Sequence, residues 1–208
     1  MLRRVVGPLL DVVKSGRVSQ ETKTGRLAKM FRTEVIGKDT QFEFAAFGDH
    51  LISKTITAMS IGQSSTFDDL PVLESEDKKI MFTPYIYDTP QKNRGNMPSI
   101  RFHIESGIRL PITEEIPVLR IASATIPDIL GKRMHELYLK SHNAFVLRCV
   151  GNHQASLAVQ GLALFNEKVE SHKLQAYLSS EIIQDAFDRE RQLRALLFNV
   201  DVVSSQTK

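Results

Sequence analysis

Ile100, Phe102 and Ile104 alternate with Arg101, His103 and Glu105, the two-residue period of a strand with one buried face. Thr40 to Phe47 has the same period, with Phe42 and Phe44 on one side and Glu43 on the other. Ile80 to Tyr87 is a third apolar run, in which Pro84 predicts an edge strand or a bulge. Spacings of three and four follow two of these strands. Asp49 predicts a helix N-cap, Ile52, Ile56 and Met59 a buried stripe, and Gly62 a left-handed C-cap. After Ile104, Pro111 and Thr113 break the strand. Leu119, Ala122, Ile126 and Ile129 then predict a helix with Pro117 in its first turn, ended by Pro127 and Gly131.

Elsewhere the pattern is coarser. Gly25 to Ile36 reads as a strand with Leu27, Lys29 and Phe31 on one face, turning at Gly37-Lys38-Asp39. Ser64 to Lys79 is an acidic loop with a short strand at 65–67, and Thr89 to Pro98 a loop with a basic tip. Lys132 to Ser141 reads as a polar helix. Ala144–Val150 and Ala155–Phe165 read as strands of a hairpin turning at Gly151-Asn152-His153-Gln154. Ser180 caps a last helix with Ile182, Ala186, Leu193 and Leu197 inward and Asp188 to Arg191 in water. Clustered strands with a few helices make an α+β class: antiparallel strand-rich repeats each followed by a packing helix, plus a C-terminal hairpin and helix. Residues 40–62 and 99–131 both run strand, turn, helix, glycine, a hint of internal duplication.

Composition narrows this little, and charge more. The single cysteine, Cys149, excludes an internal disulfide and points to a reducing compartment. No stretch reaches the roughly 18 apolar residues of a spanning helix, so no integral membrane span is expected. Residues 1–38 hold nine lysines and arginines against three acids, a net +6, so the other 170 of the 208 residues carry −3. A basic arm on a near-neutral body suits a polyanion partner or an address label. The first 19 residues are amphipathic and Arg-bearing, as in a mitochondrial transit segment; a basic surface helix is the other reading. The expected division is an arm over 1–22, a binding domain over 23–133 and an extension over 134–208.

No catalytic constellation is visible in the sequence. The six histidines are scattered, and there is no His-Glu-x-x-His and no cysteine pair, which argues against zinc. Gly131-Lys132-Arg133 lacks the rest of a phosphate loop, Glu114-Glu115 suits a helix start, and Cys149 in an apolar strand has no evident base. Neither an enzyme nor a cofactor is expected. Binding is what remains. Lys29, Arg32, Lys92, Arg94 and Arg101 lie among rings, of which Tyr85 and Tyr87 are candidates for stacking, whereas the alternation puts Phe42 and Phe44 in the core. Cations follow a phosphate backbone and exposed rings stack on unpaired bases. The expectation is one positive track along strand edges and loop tips, gripping single-stranded RNA or DNA.

Several motifs together resemble the Whirly domain, over residues 40–133. Phe42 to Phe47 leading to Met59-Ser60-Ile61-Gly62, and Thr66-Phe67-Asp68-Asp69-Leu70-Pro71, are similar to its strand ends. The most specific stretch is Leu110-Pro111-Ile112-Thr113 followed by Ile126-Pro127-Asp128-Ile129-Leu130-Gly131, although Lys132 stands where the family has tryptophan. The resemblance implies two strand-rich repeats, each packed by a helix, in a homo- or hetero-oligomer that binds single strands in an organelle such as the mitochondrion. The order Tyr87-Asp88-Thr89-Pro90, strand, helix, strand and the C-terminal third also resembles matrix proteins of negative-strand RNA viruses. That likeness implies nucleocapsid binding and peripheral membrane binding through the arm.

Overall fold

The chain, in a computed structural model, is described for residues 13–64, 78–86, 99–108, 116–169, 172–184 and 192–204. It is α+β: one eight-stranded sheet of order β1-β2-β4-β3-β7-β8-β6-β5, and four helices. The strands are β1 Lys14–Arg17, β2 Phe42–Phe47, β3 Lys78–Ile86, β4 Ser99–Ile108, β5 Val118–Arg120, β6 Ala144–Cys149, β7 His172–Gln184 and β8 Gln192–Ser204. The helices are α1 Thr24–Met30, which runs on as a π-helical stretch Phe31–Ile36, α2 Asp49–Gln63, α3 Pro127–Leu139 and α4 Asn152–Asn166. β1 and β2 are parallel, as are β5 and β6; every other neighbouring pair is antiparallel.

Period-two burial fixes one face of the sheet against the helices. Phe42, Phe44 and Ala46 pair with Ile104, Phe102 and Ile100, and all six are buried. Phe145, Leu147 and Cys149 pair with Val200, Phe198 and Leu196 in the other half. These side chains share one core with Phe31, Ile52, Ile56 and Met59 from the first two helices and Val159, Leu162 and Phe165 from α4. Burial also pushes the Cys149 thiol up to about 12, so it stays protonated and packs as a small hydrophobe.

The chain is internally duplicated. Each half runs strand, helix, strand, helix, hairpin, and each contributes four neighbouring strands in the same relative order, β1-β2-β4-β3 and β5-β6-β8-β7. The halves meet along β3 and β7, so an approximate two-fold relates them. Register makes the equivalence residue by residue: Arg17 opposes Ala45 as Arg120 opposes Arg148, and Phe44 opposes Phe102 as Leu147 opposes Phe198. After β1 the Ser19 amide donates to Thr22 Oγ1 (3.0 Å), and after β5 the Ala122 amide donates to Thr125 Oγ1 (2.9 Å). Both second helices follow a glycine with positive φ, Gly48 at 78° and Gly151 at 94°, a backbone that side chains with a Cβ rarely adopt. The duplication therefore pairs 14–108 with 118–204 rather than 40–62 with 99–131, and residue 133 falls inside α3.

Several elements differ from the sequence expectation. Residues 25–36 are helical, because Leu27, Ala28, Phe31 and Val35 recur at helical spacing and are all buried. Ala155–Phe165 is helix α4, covered so completely that its periodicity is masked by apolar residues. Pro127 opens α3 at its first position rather than ending a helix, and Leu119 belongs to β5. Ile126 and Ile129 are exposed, while Leu130, Met134 and Leu137 face the core. Ser180, Ile182, Leu193 and Leu197 are strand residues of the β7–β8 hairpin. Asp49 lies in the first turn of α2, where its carboxylate accepts from Ser156 Oγ (2.8 Å) and Gln160 Nε2 (3.0 Å) of α4. Gly62 is helical; a Cβ there would stand 2.8 Å from Ala28 O, so it sets how closely α1 and α2 approach.

Candidate nucleic-acid interface

The face of the sheet opposite the core is built from the alternate residues of the same strands. Across β2, β4 and β3 the register aligns Glu43 with His103 and Thr83, and Ala45 with Arg101 and Tyr85. Tyr85 and Arg101 are therefore cross-strand neighbours, on the same face of adjacent strands. Tyr85 is 42% exposed, and so is the Arg101 side chain. Glu43 Oε2 lies 3.6 Å from Arg101 Nη1, a surface pair of small worth. Burial, Glu43 and Glu105 all push the Tyr85 phenol above its ordinary value, so it stays neutral at physiological pH.

Further along the same face, at the sheet edge, Arg17 sits over the Phe47 ring at 4.5 Å from its centroid. The opposite edge carries the equivalent Arg120, in register with Arg148. Arg148 Nε is paired with Glu181 Oε1 at 2.7 Å. Both edges thus present an arginine at the same place in the repeat.

The centre of this face is a polar network that straddles β3. Glu105, on β4, accepts hydrogen bonds from Lys173 Nζ and from Gln175 Nε2 (2.7 Å), both on β7, and its other oxygen lies 3.6 Å from His103 Nε2. Since β3 lies between β4 and β7, the network spans it and covers Met81 and Thr83, which are buried. Burial alone would raise the Glu105 carboxyl; hydrogen bonds from His103, Lys173 and Gln175 outweigh it and hold the group at about 2.

The residues singled out from sequence fall in three places. Tyr85 and Arg101 are brought together. Lys29 is exposed on α1, in the helical layer, and does not join them. Arg32 is only 4% exposed: its Nη1 donates to Ser64 O at 2.6 Å, tying α1 to the end of α2, and burial lowers its pKa. A buried guanidinium spent on a helix end is not part of a surface track. Tyr87, Lys92 and Arg94 lie outside the described residues, as do the first 12 residues of the arm, Pro111 to Glu115 and Asp188 to Arg191. Tyr85 was expected on an edge or bulge because of Pro84, yet β3 is central. The ladder to β7 is formed by Met81 and Phe82, so Pro84 lies beyond it and its missing N–H breaks no bond there. Sequence reasoning passed over Arg17 and Arg120, whose signal was the repeat Arg17-Val18-x-x-x-Thr22 and Arg120-Ile121-x-x-x-Thr125.

Among the described residues there is no group of three His, Cys, Asp or Glu side chains able to hold a metal ion, and no helix is long and apolar enough to cross a membrane. No protein-family model matches this sequence, and a search of curated proteins finds no match either.

Proposed function

We propose that the protein is a non-enzymatic binder of single-stranded RNA or DNA, and that the strand lies across the sheet face opposite the helices. The observation that carries this reading is the Tyr85–Arg101 pair: a neutral exposed ring and a cation, held in register on adjacent strands of a rigid sheet. A ring on such a platform stacks on any base, and the neighbouring guanidinium meets the phosphate between bases. Arg17 over Phe47 offers a second cation on the same face. The reading rests on this site rather than on the Whirly resemblance, and the helix-borne Lys29 and buried Arg32 are left out of it.

Fluorescence anisotropy with labelled single-stranded RNA and DNA across a salt series tests it. Arg101→Ala should weaken binding of every sequence alike and lower the salt slope by about 0.7, one phosphate contact on a single strand. Tyr85→Ala should cost about 1–3 kcal/mol with the slope unchanged. Single-strand binding that survives the double change undiminished would remove this face from the function.

A further inference from the structure

Past Phe82 on β3 and Ala176 on β7 the register between the halves is no longer continued, and a cavity of about 440 Å3 lies at this end of the seam. Side chains replace the ladder there. Thr83 Oγ1 donates to Leu174 O (2.6 Å), and Asn166 Nδ2, at the end of α4, donates to Pro84 O (3.3 Å). Tyr85 and Asn166 both line this cavity. The imidazoles of His103 and His172 line the same space above Val169, and His172 is itself held by the Tyr138 hydroxyl at 3.0 Å from Nδ1.

The approximate two-fold supplies a control within the molecule. At the other end of the seam Gln63 ends α2 as Asn166 ends α4. Gln63 Nε2 donates to Leu178 O of β7 (2.7 Å) and its Oε1 accepts from Ile80 N of β3 (3.2 Å), so one side chain bridges both strands. Register puts Ser179 where Tyr85 would be and Asn199 where His103 would be. Among the described residues, then, one end of the seam is closed by a glutamine, with a serine at the place of the ring. At the opposite end a residue one methylene shorter meets β3, and the ring and imidazoles stand around the space.

Charge decides what such a space holds. Among the described residues the one lysine on its wall, Lys173, is answered by Glu105, so that cation is already engaged by a carboxylate. Its volume lies in the range of small-molecule sites, and the flat rings of Tyr85, His103 and His172 with the Asn166 amide, beside Val169 and Leu174, suit a planar heterocycle that offers polar edges. We propose that it receives one unstacked nucleobase of a bound single strand, stacked against Tyr85 and hydrogen-bonded by Asn166. This deepens the single-strand reading and rests on it. An extruded base read on its edges in this way would give the sheet a preferred sequence at one position.

Two measurements separate this proposal from the reading beneath it. In the first, a labelled single strand is compared with the same strand carrying abasic positions through its centre. The intact strand should bind about tenfold tighter, and both Tyr85→Ala and Asn166→Gln should bring that ratio near one, the longer amide closing the seam as Gln63 does. In the second, free adenosine, cytidine, guanosine and uridine are titrated while the imidazole proton resonances of His103 and His172 are followed by NMR. At least one nucleoside should shift both, in the unaltered protein, where folding is not at issue. Strands bound equally well with and without bases, and histidine signals unmoved by every nucleoside, would overturn the pocket and leave single-strand binding standing. Nucleoside shifts in a protein that binds no strand would uphold the pocket and overturn the single-strand reading.

Discussion

Replacing Glu105 with glutamine keeps the shape of the side chain and deletes its charge. The carboxyl is held at about 2 against an ordinary 4.5. By linkage that difference corresponds to about 3 kcal/mol of stability at neutral pH. The full amount is not expected, because the partner Lys173 side chain is 41% exposed and water screens the pair; about 1–2 kcal/mol is the screened figure. The sign follows from the direction. A carboxyl whose folded pKa is depressed stabilises the fold above its unfolded pKa, and this is lost as pH falls from about 4.5 to about 2. Urea unfolding of the two proteins should therefore differ by the screened amount near pH 7, with the difference shrinking below about pH 4.5 and vanishing only below about pH 2. A difference that stays constant across that range would mean that Glu105 acts by packing, and would refute the electrostatic account of how β4 and β7 are joined over β3.

Gly62→Ala places a Cβ 2.8 Å from the Ala28 carbonyl oxygen, so α1 and α2 must separate; thermal unfolding should report a loss of about 1–3 kcal/mol, and an unchanged midpoint would refute the close approach. Ile121→Ala, at 5% exposure, should cost about 2–5 kcal/mol. Ile126→Ala, at 56% exposure, should stay within about 0.5 kcal/mol in the same denaturant titration. The reverse order would restore a helix through Leu119 and Ile126 in place of β5 and its turn.

Strands with one wet face were legible. Alternation alone puts Phe42, Phe44, Ile100, Phe102 and Ile104 in the core, and all are buried. The stripe Ile52, Ile56 and Met59 on α2 was legible too. Where an element is covered on several sides, alternation disappears, and α4 shows why: Ala155 to Ala163 is buried at nearly every position, so a buried helix and a buried strand look alike. For α1 the error was one of period, since Leu27, Lys29 and Phe31 alternate while the buried set is Leu27, Ala28, Phe31 and Val35. The duplication was legible in principle, in Gly48-Asp49-His50 and Gly151-Asn152-His153. Of the site, the residue types were visible but not the register that sets Tyr85 beside Arg101. Asn166 could not be found this way, because its role depends on β3 and β7 meeting across the two-fold.

Carrying both halves on one polypeptide has a consequence that two identical subunits could not share. In a homodimer every substitution is made twice, so a change that opens one end of the seam opens the other. Here Gln63 and Asn166 are separate positions in one gene product, and each end can drift without disturbing its counterpart. A nucleic-acid strand has a direction, reading differently from its two ends, whereas a true two-fold treats both directions alike. The broken equivalence between Gln63 and Asn166 is what would let this sheet tell the head of a strand from its tail.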